Sequence, residues 1–166
     1  MMTTNNNSPI NAARARLGRL LETVALEAEY LQATDKLLFA EAFTAERAAT
    51  LRQDPPLAER LDAFNARFTR LQDTVGEKLL PALLVCAGEA VGSVLDNLDR
   101  AERLGLLAQS SDTWIAARNL RNRMVHEYIR DPALLAGAVN EAHHVVPMLV
   151  RFVEACQAYA HSRRLA

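Results

Sequence analysis

Between Leu57 and Ala87 the residues Phe64, Phe68, Leu71, Val75, Leu79, Leu83 and Cys86 recur at steps of three and four. That spacing lays one apolar stripe along an α-helix and leaves none of the period-two alternation a half-buried strand requires. Leu17, Leu20, Leu21, Val24 and Leu31 draw a second stripe of the same kind near the start of the chain. Helices with one apolar stripe bury it against other helices. The expected fold is therefore all-α, an antiparallel helical bundle with short connections. The 166 residues suffice for a single core. Residues 1–8 are expected to be a disordered polar tail and 9–166 a single helical domain. A two-fold homodimer is the expected assembly, since helical dimers of that symmetry are common.

Punctuation divides the chain. Ser8-Pro9 has the cap-plus-proline pattern that opens a helix, here expected to run to about Gln32. Asp35 is a candidate cap for a second segment, Lys36 to about Arg52, with one continuous long helix as the alternative. Asp54-Pro55-Pro56 ends that segment. Pro81 interrupts the striped stretch, which implies a kink or a junction of two helices. Ser93 opens a short helix to about Leu104, closed by Gly105. Ser110 or Ser111 caps the next, from Asp112 to about Ile129. Asp131-Pro132 starts the last, to about His161, with a kink expected at Pro147.

Charge and composition narrow the function classes. The net charge is −1 and the pI about 6.4, so no global basic field draws nucleic acid. Any such ligand must be held by a local patch. Lys36 and Lys78 are the only lysines; the remaining cations are arginines. Cys86 and Cys156 have neither metal nor redox spacing and read as reduced core thiols. The N-terminal stretch lacks the basic and apolar regions of a signal peptide, and no apolar run approaches a membrane span. A cytoplasmic protein without membrane attachment is expected. Glu141 and His144 form one Glu-x-x-His, half of a di-metal bundle site, but no second copy exists. No metal and no cofactor are expected. There is also no Gly-rich phosphate loop and no nucleotidyltransferase pattern.

The chemistry concentrates in Arg118 to Arg130, RNLRNRMVHEYIR. On a wheel of about 100° per residue, Trp114, Ala117, Met124, Val125 and Tyr128 fall within about 60° of Arg121. An arginine on an apolar arc must meet an anion, a polar partner or another subunit. Asn122 and His126, four apart, share a neighbouring stripe. Arginine forks suit phosphate oxygens and histidine moves protons near neutral pH. Together they suit RNA cleavage by the 2′-hydroxyl, a route that needs no metal. Arg123 and Glu127, also four apart, have the spacing of a surface ion pair.

Arg121-Asn122-x-x-x-His126-x-Tyr128 resembles the Arg-x-x-x-x-His-x-Tyr motif of the HEPN superfamily. More narrowly it is similar to the HepT-like toxins of HEPN–MNT toxin–antitoxin pairs. The flanks agree: RAERLGLL ahead of the motif, Trp114 opening the helix, and Asp131-Pro132 followed by a Leu- and Val-rich helix. The resemblance covers roughly residues 67 to 159. It implies a homodimeric endoribonuclease in which both subunits' motifs face one cleft. Arg121 and His126 would be the catalytic pair, and Asn122 would orient substrate or His126. Arg118 and Arg123 would add phosphate contacts. Tyr128 would be the tyrosine that a partner MNT-type nucleotidyltransferase antitoxin modifies with AMP. The implied product carries a 2′,3′-cyclic phosphate. A second reading is a non-catalytic HEPN-fold subunit that docks a small nucleotidyltransferase.

Overall fold

The computed structural model describes residues 8–127 and 131–166, with the side chains of residues 125–127 outside the description. Among the described residues seven α-helices form the framework: α1 (Pro9–Leu38), α2 (Ala45–Ala49), α3 (Pro55–Asp73), α4 (Leu80–Ala87), α5 (Val94–Arg103), α6 (Ser111–Glu127) and α7 (Pro132–Ser162). A π-helical segment, Thr74–Leu79, joins α3 to α4 without a break. No strand occurs among the described residues. The fold is all-α. α1 packs most extensively on α3 and α7, and α6 lies on α7 with its other flank against α3.

The expected stripe is the core. Phe64, Phe68, Leu71, Val75, Leu79 and Leu83 are fully buried and Cys86 is nearly so. They meet Leu17, Val24 and Leu31 of α1 and Leu149, Phe152 and Val153 of α7 in one cluster. Caps fall largely where the sequence puts them. Ser93 and Asp96 form a reciprocal capping box at α5, and Gly105 follows α5 with φ +75°. The Asp131 carboxylate accepts from the Ala133 and Leu134 amides at the start of α7. Ser8 precedes Pro9 at the start of α1, but its backbone carbonyl, not its side chain, receives the first bonds.

Two expectations need correction. Asp35 does not cap a second helix; it lies inside α1, which continues to Leu38 because Leu31, Thr34 and Leu38 prolong its buried stripe. Residues 36–52 are accordingly not one helix. The chain turns at Phe39, and only Ala45–Ala49 is helical, capped by Thr44. Arg47 closes that turn by donating to the carbonyls of Leu38 and Glu41 at 2.8 and 2.6 Å.

At Pro81 two helical segments meet, as the sequence implies: the π-helical stretch ends at Leu79 and α4 begins at Leu80, with no break in the helix between them. In an α-helix the proline ring would press on the carbonyl four residues back, that of Glu77, and would leave it without its amide. Here the preceding turn is widened, and the Leu80 amide bonds Val75, five residues back. The wider turn accommodates Pro81 within one continuous rod.

α7 runs through Pro147 without interruption. By length and composition it is the one described helix apolar enough to cross a membrane, and half of that stretch is buried within this bundle. The sequence places this helix from Asp131-Pro132 to about His161, and its observed span, Pro132–Ser162, agrees.

Candidate functional site

The site is built on α6. Its first turn is anchored by carboxylates of α5: the Ser111 hydroxyl donates to Asp99 at 2.7 Å and the Ser111 amide to Glu102 at 3.1 Å. Anionic groups are favoured at a helix N-terminus, where backbone amides lack partners. Trp114 then sinks into the core, 2% exposed, edge-on to Phe152 with ring centroids 5.1 Å apart. Its indole nitrogen faces Gly76 of the π-helical segment, where an added Cβ would lie 3.8 Å away. Ala117, Leu120 and Met124 continue the buried line.

The arginines flank this line on two sides. Arg118 pairs with Glu77 at 2.8 Å, and Arg121 with Asp73 at 2.6 Å. Both carboxylates come from the α3–π junction. Arg121 thus resolves the conflict posed by its place on the apolar arc: it sits at the edge of the packed face, half-buried, with an anionic partner. Arg123 leaves on the opposite flank and grips Glu141 of α7 through both guanidinium nitrogens, at 2.7 and 3.2 Å. The Arg123–Glu127 pairing falls partly outside the description, because the Glu127 side chain is not covered. Asn122 is exposed beside these pairs.

Arg118 and Arg121 are therefore brought together, while Arg123 is turned away from them. His126 belongs to α6 by its backbone; its side chain, and all of Tyr128, lie outside the described residues. Glu141 is engaged by Arg123, His143 bonds Asp35 at 2.7 Å while stacking on Phe39, and the His144 ring bonds the Asn140 carbonyl at 2.6 Å. These residues of the Glu-x-x-His pattern point into separate local contacts. The two thiols are buried, and burial pushes both up, Cys156 to about 12. A thiol so raised is not a nucleophile near neutral pH.

Asp73 and Glu77 were missed in the sequence. The one available signal was their spacing, four apart on a helix face beside an arginine-rich helix, and that spacing does not name a partner. Asp73 also lines a shallow concavity of about 440 Å³ together with Asn65, Thr69, Arg70, Thr74 and Lys78. Glu27 of α1 lies behind it, accepting from the Thr74 hydroxyl at 3.2 Å. Burial holds the Glu27 carboxyl above its usual range, against the Thr74 bond and the charges of Arg70 and Lys78, which pull it down. On the far flank of α6 a second concavity, about 580 Å³, is lined mainly by apolar and small groups, among them Ala116, Leu120, Gly137 and Val145.

Compared with known proteins, the chain matches no family model, no curated protein and no solved structure. The HEPN resemblance accordingly stands on the motif and its flanks.

Proposed function

We propose that this chain is a HEPN-type endoribonuclease toxin that cleaves RNA without a metal, as a two-fold homodimer whose motifs share one cleft. The observation that supports this most is the placement of Arg121. A motif arginine that could have been core or fully solvated is instead half-buried, at 30% side-chain exposure, next to Arg118 along the edge where α6 meets the α3–π junction. In the proposed reaction His126 takes the proton of the 2′-hydroxyl, and the freed oxygen attacks the adjacent phosphorus. The bond to the 5′-oxygen breaks, that oxygen takes the proton from the His126 imidazolium, and a 2′,3′-cyclic phosphate and a 5′-hydroxyl remain. Arg121 neutralises charge on the phosphorane, and Asn122 orients the nucleotide. Arg118 contacts a neighbouring phosphate; Arg123, which the sequence also offered for this role, is held by Glu141 on the opposite flank. AMP added to Tyr128 by a partner nucleotidyltransferase would place negative charge at the cleft and repel RNA.

The test is end-sequencing of RNA incubated with purified wild type and with His126→Ala in the presence of a chelator. Cyclic-phosphate ends from the wild type alone are expected. Intact RNA with wild type in excess, or equal cutting by His126→Ala, overturns the proposal.

A second reading has its own support. Arg118, Arg121 and Arg123 all face carboxylates of the same chain. That is what a surface made to dock a protein, rather than to gather phosphate, would also look like. Under this reading a small nucleotidyltransferase binds the motif face and no RNA is turned over.

A further inference from the structure

We infer that the concavity at the α3–π junction is an RNA-backbone subsite, in which Arg70 and Lys78 hold the phosphate of a nucleotide neighbouring the one cleaved at Arg121. The inference rests on the ribonuclease reading above and adds a substrate-binding position to it. Three observations carry it.

First, the concavity and the motif share a wall. Asp73 lines the concavity and bonds Arg121 at 2.6 Å, so a strand whose phosphate reaches Arg121 has the concavity immediately beside it. Second, its donors suit a sugar–phosphate chain. Arg70 supplies a planar fork, Lys78 a compact charge, and Thr69 and Asn65 neutral hydrogen-bonding groups, around about 440 Å³ of open space. Third, these two cations differ from their neighbours. Arg118, Arg121 and Arg123 have ion-pair partners within 2.8 Å, and Arg67 is bonded to Tyr30 and Thr34. Arg70 and Lys78 are exposed, and the carboxylate they face, Glu27, is partly withdrawn behind Thr74. Arg70, Thr74 and Lys78 follow one another at four-residue steps, which sets them along one side of the helix.

The experiment uses the full chain and a 2′-O-methyl oligoribonucleotide, which binds but cannot be cut. Its affinity is measured across a salt series for wild type, for Arg70→Gln/Lys78→Gln, and for Arg14→Gln/Arg16→Gln. The last pair removes two exposed arginines more than ten residues up α1 from Glu27. Losing two phosphate contacts should weaken binding roughly 10-fold or more at moderate salt. The slope of log K against log salt should flatten by about 1.4, at about 0.7 per single-strand phosphate. The control should keep both values. Wild-type affinity and slope in Arg70→Gln/Lys78→Gln overturn the subsite while leaving the cleavage proposal standing if wild type still cuts RNA. An equal loss in the control assigns the effect to net charge and overturns it as well. Binding with the expected slope change, but no cutting of natural RNA, keeps the subsite and rejects the ribonuclease reading. A wild type that neither binds nor cuts rejects both.

Discussion

Arg121→Ala is expected to lower RNA cleavage by about 100-fold or more, the usual cost of removing one preorganised donor from a developing oxyanion. Its effect on stability should be small. The Arg121–Asp73 pair is partly exposed, 30% and 38% by side chain, and such pairs contribute at most about 1 kcal/mol. The variant should thus melt within about 4 °C of wild type, so loss of activity would not reflect loss of fold. Asp73→Asn separates the two things Asp73 does. It removes the carboxylate that RNA must displace from Arg121, which should lower KM. It also removes the group that holds the guanidinium in place, which should lower kcat. A fall in both constants together is the signature of a positioning residue; a simple surface ion pair would move neither. Full activity in Arg121→Ala overturns the ribonuclease reading outright.

Trp114→Ala should have the largest effect on stability of any single change in the motif helix, roughly 3–5 kcal/mol, as for other buried aromatic truncations. Trp114 is almost fully buried and joins three elements: α6, which carries it, α7 through Phe152, and the π-helical segment through Gly76. For a domain of this size the melting temperature should fall by about 6–20 °C. Trp114→Phe keeps the edge-to-face contact with Phe152 and should lose much less. Thermal melts of the two variants check this, and an unchanged melting temperature in Trp114→Ala would mean α6 is held by its other contacts. Well below the lowered melting temperature the alanine variant should retain activity, in contrast to Arg121→Ala, because no atom of Trp114 is proposed to touch substrate.

Much of the architecture was legible because it depends on local signals. The stripe from Phe64 to Leu83 specifies a helix face whatever surrounds it, and the Ser93 and Asp131 caps act within three residues of themselves. Asp35 shows where local reasoning stops. Aspartate before a helical stretch is a fair cap signal, but here its carboxylate serves His143, 108 positions away in the chain. No spacing rule carries that information. Arg121 was legible as a conflict: a cation on an apolar arc needs a partner. Which partner was not, because Asp73 approaches through tertiary packing of α3 against α6. Arg123 illustrates the same limit. The four-residue spacing offers Glu127, and the bidentate partner the fold supplies is Glu141. The residues that bear most on the proposed chemistry beyond the motif, Asp73, Arg70 and Lys78, are ordinary surface charges until the fold gathers them.

The widened turn at Thr74–Leu79 also bears on how relatives of this chain should differ in length. A π-helical turn holds one residue more than the α-helical turn it replaces. A homologue with one residue fewer between positions 74 and 79 would revert to ordinary pitch there, and both flanking apolar faces would stay in register. The same deletion in the middle of α3 would rotate everything after it by about 100° and expose the core. Alignment gaps among relatives should therefore collect in this one turn. The shortened forms should have something other than proline at the position of Pro81.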